Sequence, residues 1–348
     1  MRYQFPIFKV AHCSTGFIVV ELYSTSKNPI PSKPWVGSVL TEDGIQLRAA
    51  RWKPVSKNRS STMRGTVCIV QGRGECIEFY FESIVRLRRL GFHVVAFDLR
   101  GQGGSQRLLA DVRKGHVDNF YDYQRDVSAI VTYILPQCPP PYFALAHSIG
   151  ATVLLNMAQR LATDKLATET TVSTFPFSRM VLVSPNIHIR VLENRHWTQR
   201  LAKTLAHIGL GRSYIPAGGA TASFSRPFDG NPLTSDHNRY IRNGDVLEKH
   251  PFLGIGDPTL SWLAASLKAT DQLHDPRLIQ TIRVPCLVFA AGQDMVVSTS
   301  AIESFSCYLP VGHLITLASA RHAILHETDS TLEAFWAAFE AFLPKDAL

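Results

Sequence analysis

The stretch FALAHSIGA at residues 143–151 decides the fold. Its apolar first half has the length of a buried strand and runs directly into Ser148, and a helical hydrophobic pattern follows over residues 153–161. A strand that turns sharply into a helix around a serine is a nucleophile elbow. Because the backbone is cramped there, the residues two before and two after the serine must be small, and Ala146 and Gly150 meet that requirement.

The same pattern also fits a serine that merely caps an ordinary helix, so the partners of Ser148 decide between the two readings. A serine becomes a nucleophile near neutral pH only beside a base, which in turn needs an orienting acid. Asp294 follows the apolar run 287–291 at the edge of the sheet where ligand sites of α/β proteins lie. His322 follows a further strand near 315–317. Serine, acid and histidine in this chain order are typical of α/β-hydrolases, which predicts Ser148 as nucleophile, Asp294 as acid and His322 as base.

Three other residues compete for these roles. Asp98 also follows an apolar run and is an alternative acid, although DLRGQGGS at 98–105 favours a tight loop tied by Asp98 and Arg100. His326 lies four residues after His322, and His147 stands directly before the predicted nucleophile. We expect both of these histidines to be structural.

The glycine-containing loop QGRGE at 71–75 follows the strand-like run 67–70 and leads into a helical pattern. This is the place from which α/β-hydrolases take the second N–H group of the oxyanion hole. We therefore predict that the backbone N–H groups of Arg73 and Ile149 form that hole. A phosphate cradle is excluded, because the loop lacks both the third glycine of a dinucleotide fingerprint and a Gly-Lys-Ser/Thr sequence. No Cys, His or Asp cluster has metal-ligand spacing, so neither a metal nor a cofactor is expected.

The rest of the chain alternates short apolar runs with amphipathic stretches, which predicts a mostly parallel sheet with helices on both faces, an α/β-hydrolase fold. The predicted buried strands lie at 67–70, 94–97, 143–146, 180–183 and 286–290. Residues 35–40 and 45–52 predict an antiparallel hairpin at the sheet edge. Ser330 and Glu333 predict a capping box at the start of the last helix.

The pattern divides the chain into four segments. Residues 1–34 are predicted to be a loosely held N-terminal arm, and residues 35–185 the first part of the hydrolase core. Residues 186–270 break the alternation with glycines and two proline turns, which predicts an inserted lid that shapes an acyl pocket and contains an amphipathic segment over 197–208. Residues 271–348 are predicted to complete the core.

Composition fits a globular protein: 45% of the 348 residues are hydrophobic, and no apolar run approaches the ~20 residues of a membrane span. Residues 1–34 lack a secretory signal pattern, and the six cysteines are scattered without a Cys-x-x-Cys pair, which is typical of a reduced, cytoplasmic protein. The net charge of +8 is dispersed, so no nucleic-acid partner is expected. Peripheral contact with the inner face of the membrane stays open as a second reading of that charge.

With these residues in view, the chain from about 35 to 344 resembles bacterial lysophospholipase L2 and, more distantly, the monoacylglycerol lipases. The motifs that carry the resemblance are G-R-x-E at 72–75, D-x-R-G-Q-G-x-S at 98–105, RLLAD at 107–111, G-H-V-x-x-F-x-D-Y at 115–123, A-H-S-x-G at 146–150, L-T at 233–234, R-Y at 239–240, P-T-x-x-W at 258–262 and H-x-I-L-x-E at 322–327. Ala151 departs from the glycine common after the elbow, and Gln71 and Gly74 differ from residues frequent in the oxyanion loop.

The resemblance implies a fatty-acyl ester substrate, either a lysophospholipid or a monoacylglycerol, cleaved through an acyl-enzyme on Ser148. Two alternatives stay open: an acyltransferase that uses the same three residues, and a non-catalytic lipid-binding protein. The Arg73 side chain is a candidate for binding the phosphate of a lysophospholipid. Its rival reading is that Arg73 turns outward and pairs with Glu75 or another surface carboxylate.

Overall fold

The computed structural model describes residues 18–55, 63–167, 175–192, 204–205 and 209–344. Eight strands in these ranges form one sheet, in the spatial order β1-β2-β4-β3-β5-β6-β7-β8. In chain order the strands are β1 Trp35–Leu40, β2 Gln46–Trp52, β3 Thr66–Val70, β4 His93–Phe97, β5 Tyr142–His147, β6 Arg179–Val183, β7 Cys286–Ala291 and β8 Gly312–Leu317. β2 pairs antiparallel with β1 and β4, and the other neighbours are parallel. The predicted edge hairpin and mostly parallel sheet are thus confirmed.

The α-helices within the described ranges are α1 Phe81–Arg89, α2 Tyr121–Tyr133, α3 Ile149–Ala167, α4 His237–Lys249, α5 Leu260–Asp271, α6 Pro276–Ile279, α7 Thr299–Ser306 and α8 Asp329–Phe342. Successive side chains of a strand point to opposite faces of the sheet. In β5, Ala144 and Ala146 join one hydrophobic core with α2 and α3, while Phe143 and Leu145 join a second core with α1 and α8. Both faces are therefore covered, which explains why the central strands are apolar without alternation.

The predicted segment boundaries stay predictions, although the structure describes much of what lies within them. Residues 18–34 of the predicted arm are attached to the core, because Val19 N–H donates to Gly104 O (3.0 Å) and Trp52 Nε1 donates to Pro31 O (3.0 Å). This part of the arm is bound rather than loose. The described part of the predicted lid contains α4 and most of α5, which ends one residue after position 270. Of the predicted segment 197–208, only residues 204–205 lie within the described ranges.

The described ranges contain no helix of sufficient length and hydropathy to span a membrane.

Candidate active site

Ser148 lies in the sharp turn between β5 and α3, at the carboxyl end of the sheet's central strand. Its φ of 51° falls in the left-handed region, which non-glycine residues rarely adopt. The turn is held by a hydrogen bond from the Ser148 N–H to the Val183 carbonyl (2.9 Å). Gly150 makes the turn possible, since a Cβ at this position would lie 2.4 Å from the carbonyl oxygen of Val70. The structure thus contains the elbow that the sequence predicts.

His322 lies in the loop after β8, and its imidazole reaches Ser148 from the far end of the sheet. Nε2 of His322 is 3.0 Å from Oγ of Ser148, and both residues are buried. A neutral imidazole can accept a proton at Nε2 only when Nδ1 carries the other hydrogen. The tautomer of His322 is therefore decided by the partner of its Nδ1.

That partner is Asp294, which lies three residues beyond the end of β7. Its Oδ2 is 2.9 Å from Nδ1 of His322. Its Oδ1 accepts hydrogen bonds from the N–H groups of Val296 (2.8 Å) and Val297 (2.9 Å). Burial alone would raise the pKa of Asp294, but His322 and the two N–H groups lower it below its ordinary value. An ionised Asp294 keeps the hydrogen on Nδ1 of His322 and leaves Nε2 free for Ser148.

The rival acid Asp98 has different partners. Its Oδ2 lies 2.6 Å from Nε of Arg48, and its Oδ1 accepts from Nε2 of Gln71 (2.9 Å) and from the Ile77 N–H (3.0 Å). The loop 98–105 is thus held by Asp98, as expected, but its cation is Arg48. Arg100 instead binds Asp126 and Asp43. The sequence could not identify Arg48, because it lies on a strand 50 positions away.

His326 also lies apart from the three. It is buried in an aromatic cluster, with its ring centroid 6.3 Å from Phe79, 6.2 Å from Tyr80 and 5.9 Å from Phe224. Burial lowers the pKa of His326 to about 3, so the ring is neutral. Its hydrogen bond from Thr234 Oγ1 (2.6 Å) goes to the backbone carbonyl. The expected structural role of His326 is consistent with these contacts.

The start of α3 and the loop after β3 each offer one backbone N–H group as a candidate for an oxyanion hole. Ile149 is the first residue of α3, where N–H groups have no acceptor within the helix and the helix dipole favours negative charge. In the loop after β3, the Gly72 N–H donates to Oε2 of Glu75 (2.5 Å), and the Gly74 N–H donates to Oε1 of Gln102 (3.2 Å). Within the described ranges the intervening Arg73 N–H has no such acceptor. The loop therefore leaves the N–H group of Arg73 available, and its place in an oxyanion hole stays a prediction.

The Arg73 side chain does not turn outward. Its Nη2 donates to the Gly256 carbonyl (2.6 Å), and its Cζ lies 5.1 Å from the Trp262 ring centroid. Gly115 leaves room for the guanidinium, since a Cβ there would lie 2.3 Å from Nη2. Among the residues that the structure describes, Arg73 has no carboxylate within ion-pair distance. The expectation that Arg73 could pair with Glu75 is wrong, because other groups occupy that carboxylate.

Glu75 binds a residue that the sequence analysis treated only as packing. Its Oε1 lies 2.9 Å from Nδ1 of His147, and Nε2 of His147 lies 3.2 Å from the backbone carbonyl of His322. The same carboxylate contacts the Tyr80 hydroxyl and the Gly72 N–H. Both residues belong to the motifs at 72–75 and 146–150, so a joint reading of these motifs was the available signal.

A metal is not indicated by the side chains. Nowhere in the described ranges do three or more His, Cys, Asp or Glu side chains come together as a metal site requires.

The chain matches a family of known proteins over most of its length. The model of the Hydrolase_4 family, described as serine aminopeptidase, S33, matches residues 61–329. The chain belongs to this family. The Hydrolase_4 match includes all three residues of the Ser148, Asp294 and His322 cluster.

Similarity to curated proteins indicates to which branch of Hydrolase_4 this chain belongs. Lysophospholipase L2 of Escherichia coli strain K12 is 31% identical over 301 residues, which cover 83% of this chain and 81% of that protein. A probable lysophospholipase L2 of Haemophilus influenzae is 28% identical over 272 residues, 78% of this chain and 80% of that protein. The predicted lysophospholipase L2 and monoacylglycerol lipase branch is therefore confirmed, as is the class of carboxylic ester hydrolase.

Solved structures support the fold independently. A soluble variant of monoglyceride lipase from Saccharomyces cerevisiae, crystallised with a substrate analogue, superposes with a TM-score of 0.69 at 20% identity. The superposition covers 92% of this chain and 99% of the yeast chain. The predicted α/β-hydrolase fold is confirmed.

Proposed function

We propose that this protein hydrolyses the fatty-acyl ester of lysophospholipids through an acyl-enzyme on Ser148. The observation that carries the proposal is the continuous hydrogen-bonded line from Ser148 Oγ through His322 to Asp294. The similarity to lysophospholipases L2 over about four fifths of their length supports the choice of substrate class. Monoacylglycerols are the second substrate of the same class, since a monoglyceride lipase shares the fold.

In the first half of the reaction, His322 Nε2 takes the proton of the Ser148 hydroxyl while Oγ attacks the ester carbonyl. The negative oxygen of the tetrahedral intermediate accepts hydrogen bonds from the Arg73 and Ile149 N–H groups. Asp294 keeps the imidazole in the correct tautomer and stabilises the imidazolium that forms. His322 then gives its proton to the departing glycerol oxygen, which leaves the fatty acid bound to Ser148.

In the second half, water enters and His322 removes one of its protons as the oxygen attacks the acyl carbon. Collapse of the second tetrahedral intermediate breaks the bond to Oγ, and His322 returns the proton to Ser148. The free fatty acid is released. An acyltransferase would differ only in the acceptor, because a lipid hydroxyl would replace the water in this step.

The Arg73 guanidinium is the candidate group for the phosphate of a lysophospholipid. It belongs to the oxyanion loop itself and joins that loop to the lid segment at Gly256 and Trp262. Burial lowers the pKa of Arg73 to about 10, and its Nε has no hydrogen-bond partner among the described residues. A phosphodiester next to this group would offset the cost of burying the cation, whereas a neutral glycerol headgroup would not.

A substrate comparison tests the proposal. Purified protein is assayed with a lysophospholipid and with a monoacylglycerol of the same chain length, for the wild type, Arg73→Ala and Arg113→Ala. Arg113 is the matched control, because it also binds lid carbonyls, those of Pro251 and Ala220. We expect kcat/KM of Arg73→Ala to fall selectively on the lysophospholipid by roughly 10- to 100-fold. Equal losses on both substrates would assign Arg73 to the lid alone, and absence of hydrolysis of either ester by the wild type would overturn the proposed function.

Peripheral membrane contact belongs to the same proposal, since lysophospholipids reside in membranes. Val112 and Leu210 are exposed apolar side chains close in sequence to Lys114 and Tyr214. Lys114 is partly buried, and its ammonium lies 4.0 Å from Asp111 and 5.4 Å from the Tyr214 ring centroid. Exposed apolar side chains beside a basic group favour anionic bilayers. We expect binding to vesicles that contain anionic lipid and weaker binding after Lys114→Glu. Equal binding to anionic and zwitterionic vesicles would contradict this contact, while the cytoplasmic location stays a prediction.

A further inference from the structure

We propose that Glu75 and His147 form a positioning ion pair that fixes the base His322 and the oxyanion loop relative to each other. The inference rests on the proposed function, because it concerns how the same site is organised. The two side chains touch neither the Ser148 hydroxyl nor the N–H groups assigned to the oxyanion, so they act through other residues.

Glu75 fixes the oxyanion loop from within. Its Oε2 accepts the Gly72 N–H at 2.5 Å and the hydroxyl of Tyr80. Glu75 thus holds the peptide before Gly72, and Gln102 holds the following peptide, which carries the Arg73 N–H, because its Nε2 donates to the Gly72 carbonyl (2.8 Å). The carboxylate also blocks any side chain at Gly72, where a Cβ would lie 2.8 Å from Oε2 of Glu75. Glu75 on one side and Gln102 on the other thus set the conformation of the loop from which we take one N–H group of the oxyanion hole.

His147 extends this arrangement to the base. Its two ring nitrogens face two acceptors, the Glu75 carboxylate at Nδ1 (2.9 Å) and the His322 carbonyl at Nε2 (3.2 Å). A neutral imidazole donates from only one nitrogen, so both hydrogen bonds require the imidazolium. Burial alone would lower the pKa of His147, but the Glu75 carboxylate raises it, in agreement with this geometry. The His322 backbone is therefore held by a charged donor.

Burial of this ion pair costs free energy, which indicates a role other than stability. Both residues are about 95% buried, and a buried ion pair is weak as a source of stability compared with apolar packing. Such pairs cluster at functional sites, and this one lies directly beside the predicted nucleophile. The ring centroids of His147 and His322 are 4.9 Å apart, so the charged imidazole of His147 lies directly beside the base.

The pH readout depends on the groups that face His147. These are Glu75 and Tyr80 on the oxyanion side, His322 and His326 in the loops after β8, and Asp294 beyond the base. Of these, only Glu75 balances the charge of His147 by direct contact. The ion pair exists only while His147 is protonated, and Glu75 raises the pKa of His147. In the wild type kcat should therefore fall as the pH rises through that raised value, and His147→Gln should lack this alkaline decline.

The test uses the full chain with His147→Gln, Glu75→Gln and the double variant, and His326→Gln as a buried-histidine control outside the pair. Kinetics on a lysophospholipid are measured from pH 5 to 10, together with Tm. We expect each single variant to lower kcat about tenfold with KM within about twofold, because misplacement of the base and the oxyanion donors affects the transition state rather than binding. The kcat of the double variant should be no lower than that of the less active single variant, since the two residues act as one unit.

Three results would overturn the proposal: single variants with wild-type kcat, losses that multiply in the double variant, or an alkaline decline of kcat that persists unchanged in His147→Gln. If the glutamine variants do not fold, Tyr80→Phe removes only the hydroxyl that contacts Glu75, and its kcat must fall without a change of KM. If the wild type hydrolyses no lysophospholipid, the proposed function fails. The rate at which a fluorophosphonate labels Ser148, followed over the same pH range, then tests the ion pair separately.

Discussion

Nε2 of His322 lies 3.0 Å from Oγ of Ser148, although 174 positions separate the two residues in the chain. The contact exists because parallel strands present their carboxyl ends at one edge of the sheet, where the turn after β5 and the loop after β8 meet. The geometry distinguishes His322 from the neighbouring His326, which lies among aromatic side chains.

His322→Ala should therefore abolish ester hydrolysis, because no other described base contacts the Ser148 hydroxyl. His326→Ala should retain most of kcat and lose stability instead, as expected when a buried ring is removed from an aromatic cluster. Steady-state kinetics and thermal unfolding of both variants check this. Equal loss of kcat in the two variants would show that the base is misassigned.

Asp294→Asn should lower kcat by several orders of magnitude, on the order of 10⁴ in the well-studied serine hydrolase case, because an amide favours the wrong tautomer of the base. Asp98→Asn is the control, since Asp98 binds Arg48 and loop N–H groups rather than His322. It should lower the free energy of unfolding and leave kcat largely intact. The opposite assignment of the two effects would make Asp98 the acid.

The Glu75 and His147 pair predicts a pH-dependent contribution to stability. Burial alone would raise the pKa of Glu75, but His147 lowers it to about 2, so this contribution is present above pH 4.5 and lost as the pH falls toward 2. The pKa of His147 is raised, so its contribution is present below about 6.5 and lost as the pH rises through the raised value.

The stability difference between the wild type and Glu75→Gln/His147→Gln should therefore be largest near pH 5.5. It should shrink by on the order of 2 kcal/mol at pH 3 and should also shrink at alkaline pH. Urea unfolding at pH 3, 5.5 and 9 measures it. A difference that is constant over this range would mean that the two side chains do not form an ion pair in solution.

Gly150→Ala should destabilise the protein by about 1–3 kcal/mol, because the new methyl group would lie 2.4 Å from the Val70 carbonyl and force α3 away from β3. Gly219→Ala is the matched control, since a Cβ there meets no atom within 4 Å. It should be neutral or slightly stabilising. Denaturant unfolding of the two variants compares them, and similar stabilities would show that the elbow tolerates a wider turn.

The sequence was sufficient where local pattern and topology agree. Apolar runs without alternation predicted the buried strands, and the chain order of Ser148, Asp294 and His322 predicted which side chains meet at the sheet edge. A local motif gave a wrong prediction where a neighbouring residue could take the same role. The predicted capping box at Ser330 does not start the last helix, because Thr328 stands at the N-cap and the helix already begins at Asp329.

Contacts between charged groups far apart in the chain could not be predicted. Arg48 lies on β2, the second strand from one edge of the sheet. It is nevertheless buried, with Glu78 and Asp98 as its carboxylate partners. Arg73 similarly gave no sign that its side chain would bind the Gly256 carbonyl, 183 positions later. Such pairings depend on how the layers pack, which short motifs do not encode.

The central claim is that Ser148 forms the acyl-enzyme, and Ser148→Ala tests it most directly. Hydrolysis of a lysophospholipid is measured for the wild type and for Ser148→Ala, with circular dichroism to verify that the variant is folded. We predict no hydrolysis above the uncatalysed background in the folded variant, because alanine fits the turn and only the nucleophile is removed. Hydrolysis by Ser148→Ala at a rate near that of the wild type would contradict the account.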